Sequence, residues 1–169
     1  GFLLPYIARQ WPDLSRFEPV LLASRHMLLL GGILAIAFTW AAPELITRLL
    51  YYRDDAYTTS IIKIIMLAVP ALSIIHIYGT TLTATRNMQP FIRVSLLFSV
   101  LALLFNFLMI PRYGAIASAI IAAGLQSLYA VSIMIIARKE TGIGLSLHFF
   151  PLYLGAGLLY FAIMRMTIW

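Results

Sequence analysis

The chain is divided into long apolar stretches that carry almost no charge, and "MLLLGGILAIAFTWAA", Met27 to Ala42, is the densest of them. A helix of about 20 apolar residues, rising 1.5 Å per residue, crosses the hydrocarbon core of a bilayer. Segments of that length run over about 20–50, 57–84, 91–110, 115–137 and 147–167. Membrane strands would alternate apolar and polar residues with a period of two, and these runs do not. The expected fold is therefore all-α and integral to a membrane, a polytopic bundle of about five transmembrane helices. Composition points the same way, with 62% of residues hydrophobic and 11% charged, and a mean hydropathy of +0.95. Soluble domains carry about a quarter charged residues, and a soluble fold of this length would have to show some of its apolar helix faces to water.

The formal net charge of +6 comes from 12 basic and 6 acidic residues. The basic residues are scattered between apolar blocks and never gathered into a stripe, so no nucleic-acid partner is expected. Their distribution sets a topology instead. Arg9, Arg16, Arg25, Arg86, Arg93, Arg138 and Lys139 fall on one side, and Arg48, Arg53, Lys63, Arg112 and Arg165 on the other. The excess on the first side places loops 85–90 and 138–147 in the cytoplasm. Residues 1–19, with two prolines, read as the end of a preceding helix and a cytoplasmic loop. The chain starts at Gly1 with no signal-peptide pattern, which suggests a piece of a longer protein. Cysteine is absent, so no disulfide framework or thiolate metal site is expected.

The connectors carry turn chemistry. "YYRDDAY" (51–57) and "TRNMQP" (85–90) are short and polar, and Pro90 suits a first helical turn. Tyr51, Tyr52, Tyr113 and Trp169 stand at span ends, where amphipathic aromatics favour headgroups. Pro43, Pro70 and Gly79 are expected to bend their spans, because proline removes a backbone bond and glycine loosens packing. Pro111 is expected to end the third span, with Gly114 allowing the reversal. Beyond it, Gly114/Ser118/Ala122 and Ala115/Ala119/Ala123 form two seams of small residues four apart, suited to close helix packing in lipid.

Polar groups within the spans are costly in lipid and are therefore functional candidates. Arg25 lies near the start of the first span, where its side chain could also snorkel to the surface. His76 is flanked by isoleucines. Asn106 and Gln126 sit on the third and fourth spans and are able to bond across helices. Glu44 and Arg48, four apart, fit a pair on one helix face. His26, His76 and His148 fall on separate spans with no carboxylate at helical spacing. Hydrolase, metalloprotease and phosphate-loop motifs are missing. Neither an enzyme, nor a metal site, nor a cofactor is expected.

The stretch "LLFNFLMIPRYGAIASAIIAAGLQSLYAV" (103–131) resembles the carboxy-terminal half of polysaccharide flippases. There an asparagine-bearing helix ends in an "IP-x-YG" turn and a small-residue helix follows. "ITRLLYYRDDAYTTSIIKIIMLAVPAL" (46–72) is similar to the family's "llyG" turn and the helix after it. "YGTTLTATRNMQPFIRVSLL" (78–97) resembles the segment joining the next pair, and "PYIARQWPDLSRF" (5–17) the loop before them. The order and spacing hold over roughly 40–138. Two departures stand out: the family's turn glycine is Tyr52 or its neighbour here, which is expected to loosen that turn, and its "GAAiA" reads "AIASA".

The resemblance implies the multidrug/oligosaccharidyl-lipid/polysaccharide exporter superfamily, with two lobes of helices around a cavity that opens alternately to each side. This chain would supply part of the second lobe of a 12–14-helix transporter, with the first lobe as its partner. The implied activity is flipping of a lipid-linked oligosaccharide across the cytoplasmic membrane, with membrane lipid and the lipid-linked glycan as further partners. Moving a pyrophosphate and a glycan through hydrocarbon unaided would be prohibitive. A polar cleft offsets that cost. By residue chemistry, Arg25 and His76 suit the phosphate and Asn106 and Gln126 the sugar hydroxyls. A multidrug or cation antiporter of the same superfamily is the nearest alternative, mildly disfavoured by the lack of a mid-span carboxylate. An integral-membrane transferase would need polar groups converging at one depth, and a membrane scaffold would need none.

Overall fold

The structure is a computed structural model, which describes residues 14–52, 55–84, 88–142 and 155–163, and side chains from residue 18 onward. Helices α1 (Leu14–Ala41), α2 (Pro43–Tyr51), α3 (Ala56–Met66), α4 (Val69–Ala84), α5 (Gln89–Tyr113) and α6 (Ala115–Thr141) follow in order. Residues 155–163 are also helical, and there is no strand among the described residues. The stretches Glu18–Ala41, Ala56–Ala84, Gln89–Tyr113 and Ala115–Thr141 are long and apolar enough to cross a membrane, which fits a multi-pass membrane protein. Most of the fifth expected span, His148, and much of loops 85–90 and 138–147 lie outside the described residues.

The first span, expected over 20–50, is two helices. Pro43 begins α2 and has no N–H to continue α1, while its ring drives Ala42 out of helical geometry to φ −132° and ψ 58°. The expected span 57–84 is broken at Leu67–Ala68, just before Pro70. There Leu67 N–H and Ala68 N–H bond to Ile64 and Ile65, three residues back and not four. The Lys63 carbonyl, freed by that shift, accepts the indole N–H of Trp40 at 3.2 Å. Gly32 of α1 faces this break, since a Cβ built on it would lie 3.4 Å from the Pro70 nitrogen.

Gly79, expected to bend its span, does not interrupt α4. It makes room for a neighbour: a Cβ there would lie 3.1 Å from the ring of Phe91 at the start of α5. The third span, expected to end at Ile110, continues through Pro111 to Tyr113. Proline's fixed φ is helical, so the helix can continue through it, at the cost of the missing bond to the Phe107 carbonyl and of crowding by the ring against that carbonyl. The reversal falls entirely on Gly114, at φ 66° and ψ −152°. The fourth span runs one turn past its expected end at Ala137 to Thr141, and closes on a left-handed Gly142 with Arg138 and Lys139 in its last turn. Those cations complement the carbonyl end of the helix dipole.

Helix α6 is the centre of the bundle and packs against α3, α4 and α5, while α1 lies across α4 and α3. The core gathers near one end, where Leu21 of α1, Ile77, Tyr78 and Leu82 of α4, and Ile133 and Ala137 of α6 are buried together. Phe91 and Val94 of α5 lean on that cluster. No residue of α5 is fully buried. Of the two expected small-residue seams, Ala119 is buried and Ser118, Ala122 and Ala123 are half-buried, but Ala115 is exposed. The buried stripe of α6 instead continues through Ala130, Ile133, Ala137 and Thr141.

Candidate functional site

Hydroxyl-bearing residues within a helix can satisfy themselves by donating to the carbonyl one turn back. Thr80, Thr81, Thr83, Ser95, Ser127, Ser132 and Thr141 all do so, at 2.6 to 2.9 Å. A side-chain amide solves only half of its problem in this way. Asn106 Nδ2 donates to the Ala102 carbonyl at 2.7 Å, but Oδ1 needs a donor, and the helix N–H groups around it are already used. Asn106 Oδ1 and Gln126 Oε1 are both shut off from solvent without a hydrogen-bond partner among the described residues. Each such group costs about 1–3 kcal/mol.

Both amides line one cleft of about 310 Å³ between α5 and α6. Helix phase brings them together. Ser95, Ser99, Ala102 and Asn106 are spaced four, three and four apart along α5, and Ala122, Gln126 and Tyr129 four and three apart on α6, so each set forms one stripe. The Gly114 reversal sets the two stripes face to face. At one end of the cleft Ser95 and Tyr129 are hydrogen-bonded side chain to side chain. The Phe98 and Tyr129 rings lie 5.3 Å apart with a 42° tilt. The cleft has no charged side chain in its lining. Asn106 also borders a second, shallow and almost wholly apolar groove of about 730 Å³ along α5, formed by Val100, Leu103, Leu104, Phe107, Ile110 and Pro111. The two recesses meet at this residue.

Arg25 and His76 are elsewhere. Arg25 is 2% exposed, with Nη1 donating to the Tyr78 hydroxyl at 3.3 Å inside the core end. It does not snorkel. His76 stands two residues before Tyr78 on α4, about 200° round the helix at 100° per residue, and is exposed. The two phosphate candidates thus lie on opposite sides of α4, while the two amides converge. Glu44 and Arg48 of α2 are both exposed.

Several residues of the site carried no signal as isolated letters. Ser95, Phe98, Ser99 and Tyr129 become visible only as members of the same stripes as Asn106 and Gln126. Tyr57 is another such residue. Its hydroxyl accepts the Ala115 N–H at 3.1 Å, so the start of α3 caps the start of α6. Among the described residues no group of histidines and acids could hold a metal ion. No family model, curated protein or solved structure matches the chain.

Proposed function

We propose that the chain is part of a transporter that flips a lipid-linked oligosaccharide across the cytoplasmic membrane, using alternating access. The observation that carries this reading is the position of Asn106, shared by a neutral polar cleft and an apolar groove. A lipid-linked sugar has the same division, a polar head joined to a hydrocarbon tail. The cleft meets hydroxyls with amide groups near the helix midpoints, where water is scarcest. Gln126 lies two residues from the middle of α6, about 3 Å along its axis, and Asn106 five residues from the middle of α5, about 7.5 Å. The sequence resemblance over roughly 40–138 supplies the specific cargo. Arg25, bonded inside the core end, acts in this reading as a structural bolt, and any phosphate contact falls to residues beyond the described ones or to the partner lobe.

The test is translocation by the complete protein in proteoliposomes, with a fluorescent polyprenyl-pyrophosphate disaccharide as cargo and dithionite quenching to count the outer-leaflet fraction. Protein-containing vesicles should expose the inner-leaflet probe faster than protein-free ones. Equal rates in both would reject the reading.

A further inference from the structure

Resting on that reading, we infer that the α5–α6 cleft is a subsite for an uncharged sugar ring, and that it discriminates against anionic sugars. The cleft's polar equipment is the two amides of Asn106 and Gln126 and the hydroxyls of Ser95, Ser99 and Tyr129. None carries a formal charge. The Gln126 amide has no bond to any described residue, and the Asn106 amide has its nitrogen satisfied and its oxygen not. In this proposal each carbonyl, buried without a partner beside the cleft, turns toward the ligand and accepts a hydroxyl proton.

Charge decides the class of ligand. A carboxylate or phosphate placed between these helices would leave water without meeting a cation, a far larger cost than burying a hydroxyl that finds an amide. A metal or ammonium ion would meet neutral dipoles only. Size agrees, because about 310 Å³ exceeds the ~30 Å³ share of one water tenfold and lies at the lower end of ligand pockets. A polyol fits both limits, since each hydroxyl donates and accepts and so complements a carbonyl and an amide N–H together. The Phe98 ring, which lines the same cleft next to Tyr129, offers the apolar surface that the C–H face of a sugar ring requires.

The experiment compares two probes on the complete protein in nanodiscs, corrected for empty nanodiscs. One is a short-chain polyprenyl pyrophosphate carrying a disaccharide of neutral hexoses. The other differs only in a uronate as its second sugar. The wild-type protein should bind the neutral probe at least tenfold more tightly. Asn106→Leu and Gln126→Leu should each weaken the neutral probe about tenfold, leave the uronate probe unchanged, and so erase the preference. Neither variant should lower the thermal midpoint by more than the loss of one hydrogen bond, because each removes a buried carbonyl that lacks a partner, and Asn106 gives up only its bond to the Ala102 carbonyl. Equal binding of the two wild-type probes, no binding of either, or a neutral affinity that survives both leucine variants overturns the inference. The wild-type comparison settles the charge question even if a variant misfolds. Neutral-selective binding without translocation would reject the transport reading and leave the subsite standing.

Discussion

At the scale of single residues, three described positions, Tyr52, Gly114 and Gly142, carry backbone conformations that most side chains resist. Tyr52 closes α2 in the left-handed region, at φ 53° and ψ 28°, with its N–H on the Arg48 carbonyl at 3.1 Å. It stands in the turn where the sequence resemblance expects glycine. The turn is a closed cap, and the tyrosine, 92% exposed, bears the steric cost. Tyr52→Gly should therefore raise stability by about 1 kcal/mol, the cost of placing an L side chain in that region. Thermal unfolding in detergent micelles reads it, and a lower midpoint would refute it. Gly114 is the stricter case. Its ψ of −152° at φ 66° belongs to a region open almost only to glycine, and a Cβ would meet the Tyr57 hydroxyl at 2.8 Å. Gly114→Ala should cost about 2–3 kcal/mol, mostly backbone strain. Tyr57→Phe should cost about 1 kcal/mol for the lost cap on Ala115. The two should combine to less than their sum, because removing the hydroxyl also removes the clash. Strict additivity in a double-mutant cycle would show that the clash is irrelevant.

At the scale of elements, the break between α3 and α4 is held from outside by α1. Trp40 donates to the carbonyl that the break releases, and Gly32 lets α1 approach Pro70. Trp40→Phe keeps the ring bulk but leaves the Lys63 carbonyl unbonded, which should cost about 1–3 kcal/mol in a low-dielectric setting. The same variant should speed proteolysis near Leu67 in detergent, and unchanged protection would mean the indole bond is idle. The existence of the elements was legible in the sequence because long apolar runs have few other solutions. Their ends were less so. Proline marked the α1–α2 and α3–α4 breaks, yet at Pro111 the same residue sits inside α5, two residues before its end, and the helix runs on to Tyr113. Gly79 showed only that something small was required. Whether a glycine bends a helix or admits a ring depends on what packs there, here Phe91 of α5. Asn106 and Gln126 stood out as amides in apolar runs. Their convergence did not, because it depends on the phase of two helices set by the Gly114 turn. Nothing in local sequence separates Arg25, buried against Tyr78, from a side chain reaching the surface.

At the scale of the whole molecule, stability is concentrated at one end. The cluster of Leu21, Ile77, Tyr78, Leu82, Ile133 and Ala137 joins α1, α4 and α6 there, while α5 has no fully buried residue and exposes Leu103, Phe107 and Tyr113 beyond 60%. Such a division gives the bundle a fixed base and lets the α5–α6 cleft sit where packing is thinner, a suitable arrangement for a site that must admit a ligand. It also makes Arg25 a test of how the base is built. A guanidinium 2% exposed in an apolar cluster is held by its hydrogen bonds, and the Tyr78 hydroxyl supplies one of them at 3.3 Å. Breaking a buried polar pair from one side is expected to hurt more than replacing it whole, because the remaining charge keeps its desolvation cost. Tyr78→Phe should thus lose about 1.5–3 kcal/mol, the range for a bond to a charged group. Arg25→Met, which preserves much of the side-chain volume, should lose less, since it leaves neutral partners such as the Tyr78 hydroxyl unbonded and no buried charge. The double variant should be more stable than Tyr78→Phe alone, because no charge remains to be satisfied. These midpoints are measurable in one series of thermal scans in nanodiscs. If the double variant proves the least stable of the three, Arg25 holds the base through partners other than Tyr78, and the bolt lies elsewhere along its side chain.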